Sequence, residues 1–311
     1  MGSTLALCRT PFQAVLLKQV LKKECAGSYD LVYLTQNDSP EDRHYFSELS
    51  SDAARSQYLY LDRYRFDVLN HVVAFLKIEP GIRSRCYSRV LVSSIDHLGF
   101  RKIAWKARNA EIVSFDDGTG HVNQEARYFL AAAEGRGRFY EVVFRVPSRI
   151  DFVKKIVRHY SIYPGYEHLM PSKILRYVEL FDTYPDCTSS GGEVSFFIGQ
   201  PFTEAYDNGY GKALASFVQQ EKIDYYVQHP REITLINRNI KLLDKLGCIA
   251  EEAIIRATQG KKAVIYGGFS SVLINLPASK AVKVMLLSSS DPRHRHYAEL
   301  GEKAGCRVVF L

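Results

Sequence analysis

Histidine and carboxylate side chains move protons near neutral pH, and this chain places several of them where apolar runs stop. In Asp224–Glu232, DYYVQHPRE, a short apolar run ends at His229-Pro230. Proline at the first position of a helix loses nothing, because that N–H has no intrahelical partner. The spacing predicts a strand over Tyr225–Gln228 and a helix over Glu232–Leu246, with His229 as the N-cap between them. Free backbone N–H groups and a positive helix end attract phosphate there. An imidazole at that point can hydrogen-bond a phosphoryl oxygen, or donate a proton as a phosphate leaves. The bland alternative is an inert N-cap.

Three further strand ends carry candidate chemistry. In Tyr266-Gly-Gly-Phe-Ser-Ser-Val272, Gly267 and Gly268 let a ligand approach the backbone, and Ser270 and Ser271 add donors for an anion at a helix start. No Gly-Lys-Ser/Thr follows, so this is not a Walker loop. In Phe115-Asp-Asp-Gly-Thr-Gly120, the adjacent carboxylates Asp116 and Asp117 diverge on an extended chain and so take different roles. One faces a ligand as base or acceptor-binding group, and the other holds the turn, with Gly120 relieving its strain. Two carboxylates alone are weak evidence for a metal. In Gly199-Gln-Pro-Phe-Thr-Glu204, with Asp207 close behind, either acid can serve as a base, solvated loop acids being the alternative. Arg293-His-Arg-His296 reads as a solvated helix start.

The elements that must position these residues alternate along the chain. Strands are predicted at Thr4–Cys8, Leu31–Thr35, Gln57–Leu61, Arg89–Ser93 and Glu111–Phe115. Helix-spaced stretches separate them, above all Pro11–Glu24 with Thr10 as N-cap. The pattern loosens after Tyr163, and residues 171–192 read as the best linker. Alternation then resumes, with strands at Val194–Ile198, Ala263–Tyr266, Val282–Leu287 and Arg307–Phe310. Helices are predicted at Tyr210–Gln220, Glu251–Thr258, Ser271–Asn275 and His296–Ala304. This is an α/β chain of two Rossmann-like, doubly wound domains facing across a cleft, over residues 1–160 and 193–311, with 161–192 connecting them. Ligands in such sheets bind outside the carboxyl ends of the strands, where the four motifs lie.

Composition narrows the partners. The 311 residues are 46% apolar, with 20 Tyr and 17 Phe, which excludes extensive disorder. The formal charge of +7 suits an anionic partner such as a nucleotide or an anionic membrane. The basic residues are dispersed and no helix carries a dense basic stripe, so a nucleic-acid partner is not expected. Six scattered cysteines without ligand spacing indicate a reducing compartment and no structural zinc. No apolar run approaches a membrane span and no signal-peptide pattern opens the chain. A cytoplasmic protein is expected, with peripheral contact to the anionic inner membrane.

Taken in order, Asp116-Asp117-Gly118, the Gly199-x-Pro201 strand end, His229-Pro230 and Ser270-Ser271 resemble the motifs of bacterial lipooligosaccharide sialyltransferases of glycosyltransferase family 52. The opening strand followed by Thr10-Pro-Phe-Gln13 is similar to that family too, and the likeness runs from about residue 4 to the C-terminus. The resemblance implies a two-domain GT-B fold, CMP-sialic acid as donor and inversion at the anomeric carbon. It implies no cofactor and no required metal. The implied acceptor is a galactose-terminated oligosaccharide or lipooligosaccharide joined in α-2,3 or α-2,6 linkage, and the implied assembly is a homodimer. Several relatives carry an N-terminal membrane anchor, which this sequence does not show.

Carried onto this sequence, the resemblance places His229, Pro230, Gly199, Gly268, Ser270 and Ser271 on the phosphate side of CMP. Glu251 falls near its ribose, and Thr10, Gln13, Asp117 and Gly118 on the acceptor or sugar side. The base stays open. The broader bacterial pattern points to Asp116, whereas the family's own points to an acid after Gly-x-Pro, here Glu204 or Asp207. Glu204 is preferred, although Phe202 stands where that pattern has an acid. The alternatives are a same-fold transferase for another nucleotide sugar, a GT-B-like sugar-nucleotide epimerase, and a non-catalytic nucleotide-binding or lectin-like module.

Overall fold

The structure is a computed structural model that describes residues 3–25, 27–61, 67–83, 85–124, 141–184, 186, 191–201, 208–232 and 234–311, except the side chains of 67–71 and 208. The chain divides into two units, Met1–Leu180 and Phe181–Leu311. In the first, β1 (Thr4–Cys8) and β2 (Tyr29–Thr35) are buried along their whole length. Apolar runs of that kind belong to strands covered on both faces. With β3 (Ala53–Tyr60), β4 (Arg89–Val92), β5 (Glu111–Phe115), β6 (Ile156–Ser161) and β7 (Leu175–Tyr177) they form a parallel sheet ordered β3-β2-β1-β4-β5-β6-β7. Leu5, Leu7, Val32, Val90, Phe100 and Phe152 belong to a core cluster of this unit, each fully buried. Such a side chain contributes about 1.5–3 kcal/mol.

Helix α1 (Pro11–Glu24) starts as its sequence dictates, with Thr10 Oγ1 accepting the Gln13 N–H and Pro11 in the first turn. Helix α2 (Pro40–Ser50), which the apolar pattern does not announce, is fixed by a reciprocal capping box between Ser39 and Asp42. Next come α3 (Asp67–Lys77), α4 (Pro80–Arg83), α5 (Leu98–Lys106) and α6 (Arg149–Lys155). Strand β7 lies inside the stretch read from sequence as connecting segment, and it pairs with β6 as the seventh strand of this sheet.

The second unit repeats the plan. Strands β8 (Glu193–Ile198), β9 (Tyr225–Val227), β10 (Lys241–Leu242), β11 (Lys262–Gly267), β12 (Val282–Leu287) and β13 (Cys306–Phe310) are parallel and ordered β10-β9-β8-β11-β12-β13. Helices α7 (Asn208–Gln220), α8 (Ala250–Thr258), α9 (Ser271–Asn275) and α10 (Arg293–Lys303) flank them. In each sheet the order reverses beside the first strand, between β1 and β4 and between β8 and β11. These are the topological switch points where such sheets bind ligands.

The predicted helix over Glu232–Leu246 does not form, so His229 is not a helix N-cap. Asn and Asp side chains capture the backbone there instead. Asn237 Oδ1 accepts the Asn239 N–H at 2.9 Å, and Asp244 Oδ1 accepts the Leu246 N–H at 2.9 Å. Leu246 and Gly247 then take positive φ, which ends any helical run. Helix α10 does begin at Arg293, but His294 is buried rather than solvated. Its Nδ1 accepts the Ser288 N–H at 2.6 Å and its ring meets Tyr210 edge-on. Among the described residues, no helix is long and apolar enough to cross a membrane.

Candidate active site

In the first unit β5 delivers Asp116 and Asp117 to different surroundings. Asp116 is fully buried. Its Oδ1 lies 3.0 Å from His159 Nε2, 3.1 Å from His168 Nε2 and 3.4 Å from His121 Nδ1, and its Oδ2 accepts the Ile162 N–H at 2.9 Å. Burial pushes this carboxyl up, but the hydrogen bonds from three imidazoles overcome it and hold the group well below the ordinary range. Burial likewise pushes His159 down to about 4, so its ring is neutral near pH 7.

Three histidines and an aspartate also have the composition of a metal centre. A metal-bound imidazole coordinates through a bare nitrogen and donates from the other. His168 is arranged the opposite way, because its Nδ1 accepts the Met170 N–H at 3.0 Å and the proton is therefore on Nε2, facing Asp116. The cluster is a hydrogen-bonded cage around a carboxylate.

Asp117 is half-buried and faces the switch point between β1 and β4. The Gln13 amide donates to Asp117 Oδ1, and to Ser94 Oγ at 3.1 Å. Ser94 Oγ lies 3.3 Å from Asp117 Oδ2. Gln13 is itself held through Oε1 by the Ser93 hydroxyl at 2.5 Å and the Arg9 N–H at 2.7 Å. The turn that permits this needs a glycine at Gly118, whose φ is 59°, and not at Gly120 as the sequence suggested. The two side chains therefore diverge, Asp116 being the enclosed member and Asp117 the one at the strand ends. Thr10 serves as the cap of α1.

In the second unit the ends of β9, β8 and β11 lie side by side and carry three of the four motifs. His229-Pro-Arg-Glu232 is a β-turn, with the Glu232 N–H donating to the His229 carbonyl at 2.9 Å and Pro230 at the position that favours it. Glu232 is buried and ties the turn to the sheet. Its Oε1 accepts the Tyr226 hydroxyl at 2.5 Å and its Oε2 accepts the His229 N–H at 3.3 Å. Burial raises its carboxyl above the ordinary value. Gly199 packs directly beneath this carboxylate, and a Cβ there would collide with Glu232 Oε2 and stand 2.6 Å from the Tyr226 ring. The Gly-x-Pro and His-Pro motifs are thus one packed unit. His229 Nδ1 accepts the Arg231 N–H at 3.1 Å, which leaves the ring proton on Nε2.

Gln200 adds a third connection, its amide donating to the Phe269 carbonyl in the glycine-serine turn. Gly268 is buried, while Ser270 Oγ accepts the Val272 N–H at 3.3 Å as cap of the short helix α9 and Ser271 is exposed. Glu251 is buried in the first turn of α8, where Oε1 accepts the Asn275 amide at 2.8 Å and burial raises its carboxyl. Glu204 and Asp207 lie outside the described residues.

Sequence reasoning missed Ser94, Glu232, Gln200, Asn275 and the three caging histidines. Glu232 stood in view beside the His-Pro pair, but was taken for a helix residue. The histidines come from three separate segments with no spacing that signals them.

Comparison with known proteins follows the same lines. The sequence model of glycosyltransferase family 52 matches residues 30–291. An N-acetyllactosaminide α-2,3-sialyltransferase of Haemophilus influenzae is 24% identical over 292 residues, 93% of this chain and 93% of the relative. A CMP-N-acetylneuraminate:β-galactoside α-2,3-sialyltransferase of Pasteurella multocida is 22% identical, covering 99% of each. Among solved structures, an α/β-galactoside α-2,3-sialyltransferase from Photobacterium phosphoreum superposes with a TM-score of 0.57 at 11% identity, over 98% of each chain. A UDP-GlcNAc 2-epimerase from Neisseria meningitidis gives 0.51 at 10% identity, over 95% of this chain and 85% of that one. These likenesses show the fold, GT-B with two Rossmann-like domains.

Proposed function

The chain belongs to glycosyltransferase family 52, and from that premise we propose that it transfers sialic acid from CMP-sialic acid to a galactose-terminated oligosaccharide or lipooligosaccharide, forming an α-2,3 linkage with inversion. The observation that carries this reading is the packing of three strand-end motifs around His229 at the switch point of the second sheet. In the reaction an acceptor hydroxyl oxygen bonds to the anomeric carbon as the bond from that carbon to the CMP phosphate breaks. The hydroxyl proton passes to a base, and CMP departs with the bonding pair.

His229 faces the departing phosphate. With Nδ1 occupied by a backbone N–H, its Nε2–H acts as a hydrogen-bond donor to the developing charge rather than as a proton donor. Ser271 adds a hydroxyl. Glu251, held by Asn275, accepts from the ribose hydroxyls. On the acceptor side Asp117 takes the proton, oriented by Gln13 and Ser94, while enclosed Asp116 fixes the turn that carries it. The mechanism uses no metal. A homodimer at the cytoplasmic face of the membrane completes the reading, and light scattering that shows only monomer removes its dimer.

Incubation with CMP-sialic acid, with and without lactose, tests the proposal through CMP release. Release that depends on lactose supports transfer. Consumption without acceptor indicates an epimerase-type activity, and no release rules out this donor. His229→Ala is expected to abolish transfer in a folded protein, and near-normal turnover would sink the mechanism. Asp117→Asn is expected to lower turnover far more than CMP affinity. A larger loss in Glu204→Gln or Asp207→Asn would move the base to that acid.

A further inference from the structure

One surface of the first unit takes no part in the chemistry above. Its centre is Phe75, near the end of α3, with Lys102 Nζ at 4.8 Å, Arg83 Cζ at 5.0 Å and Lys106 Nζ at 5.3 Å from the ring centroid. Arg145 approaches the same cations from the segment before α6, in a left-handed backbone conformation with φ 48° that costs a non-glycine residue about 1–3 kcal/mol. The crowding is real in electrostatic terms. Burial first, then Lys106 and Arg145, push the Lys102 amine below its ordinary value. Among the described residues, none of Lys102, Lys106, Arg108, Arg145 or Lys155 has an acidic partner.

Two hollows open beside this group. One, of about 180 Å³, is lined by Val72, Phe75, Leu76, Leu98, Phe144 and Val146, with Lys102 at its edge. The other, of about 530 Å³, is lined by Trp105, Lys106, Arg108, Arg145 and Lys155. Among the described residues no acidic side chain lines either. Aliphatic side chains are exposed here: Leu76, which lines the smaller hollow, by 62%, and Val142 and Val143, just ahead of its lining residue Phe144 in the chain, by 71% and 53%. Lys155 Nζ lies 5.3 Å from the half-exposed ring of Trp105.

We infer that this face docks on a lipid bilayer carrying anionic headgroups, with Leu76, Val142 and Val143 entering the headgroup boundary and Lys102, Lys106 and Arg145 meeting lipid phosphates. Interfacial surfaces combine exposed aliphatic and Trp side chains with flanking cations in this way. A second copy of the chain fits poorly, because cations would face cations. A nucleic acid would find exposed aliphatic groups where it needs polar or stacking contacts. Helix α5, whose first turn lines the smaller hollow, is entered directly from Ser93 and Ser94, which hold the Gln13–Asp117 group. Docking here would bring a lipid-borne acceptor toward those residues.

The test is flotation of the full chain with vesicles of phosphatidylcholine alone, or of phosphatidylcholine with phosphatidylglycerol, at low and high salt. No sugar nucleotide is present, so the outcome is separate from that of the transferase reading. Binding is expected to the anionic vesicles only, and to weaken with salt. Combining Lys102→Gln, Lys106→Gln and Arg145→Gln should lower partitioning on the order of 100-fold. Val142→Ser with Val143→Ser should remove the salt-resistant remainder, and unchanged thermal unfolding would certify both folds. Equal binding to both vesicle types, or a triple variant that floats like the parent, overturns the inference. So does retention on a soluble polyanion without any vesicle binding.

Discussion

Replacing Gly199 by alanine tests whether the Gly-x-Pro and His-Pro motifs act as one unit. The added Cβ falls on Glu232 Oε2 and stands 2.6 Å from Tyr226 Cε1, well inside contact distance. A carboxylate at the end of a free side chain would swing away, but this one is buried and holds both the Tyr226 hydroxyl and the His229 N–H. Overpacking costs about 1–3 kcal/mol. If Glu232 yields, the loss of hydrogen bonds to a buried carboxyl adds about 1.5–3 kcal/mol. A total of about 2.5–6 kcal/mol is a large share of an ordinary domain's stability.

Because the one tryptophan, Trp105, lies in the first unit, calorimetry or far-ultraviolet circular dichroism is the suitable probe of unfolding. The decisive comparison is a double-mutant cycle with Glu232→Ala, where the Glu232 clash is already gone. The Gly199→Ala cost should then shrink by about 2 kcal/mol, the Tyr226 contact accounting for the rest. Transfer activity should fall in both single variants as the His229 turn loses its support. Additive effects to within about 0.5 kcal/mol would refute the coupling.

Other expectations follow from the first unit. Asp116→Asn keeps one acceptor oxygen but removes the charge on which three imidazole donors converge, and should destabilise that unit by about 1.5–3 kcal/mol, the range for hydrogen bonds to a charged group, with turnover lost alongside; a thermal midpoint near the parent's would show the cage to be dispensable. Since folded His159 titrates near 4 and an unfolded histidine near 6.5, the unfolded chain binds the extra proton between those values, and stability must fall as pH drops through that window. The contribution is about 3 kcal/mol, read as the difference in urea unfolding between the parent and His159→Gln at pH 4 and pH 7. Asp116, depressed in the fold, loses its own contribution only at lower pH. Turnover should survive dialysis against EDTA, whereas loss restored by a divalent cation would reassign the cage as a metal site.

Much of this molecule is legible in its sequence because the signals are local. Pro11 after Thr10 sets the start of α1 to the residue, and continuous apolar runs such as Thr4–Cys8 mark fully covered strands. The strand-end motifs could be placed in order without any coordinates. What local signals could not decide is what each motif touches. The helix expected after His229 fails because Asn237 and Asp244 take backbone donors that a helix needs, a competition settled outside the quoted motif. Which aspartate of the pair is enclosed depends on His121, His159 and His168, which meet only when β6 pairs beside β5. The sequence by itself determined the alternation, the Thr10 cap of α1 and the order of the strand-end motifs. Tertiary structure alone decided that Glu232, packed against Gly199, props the His229 turn, and that Asp117 faces the switch point, because burial and packing across distant segments leave no periodic trace in the chain.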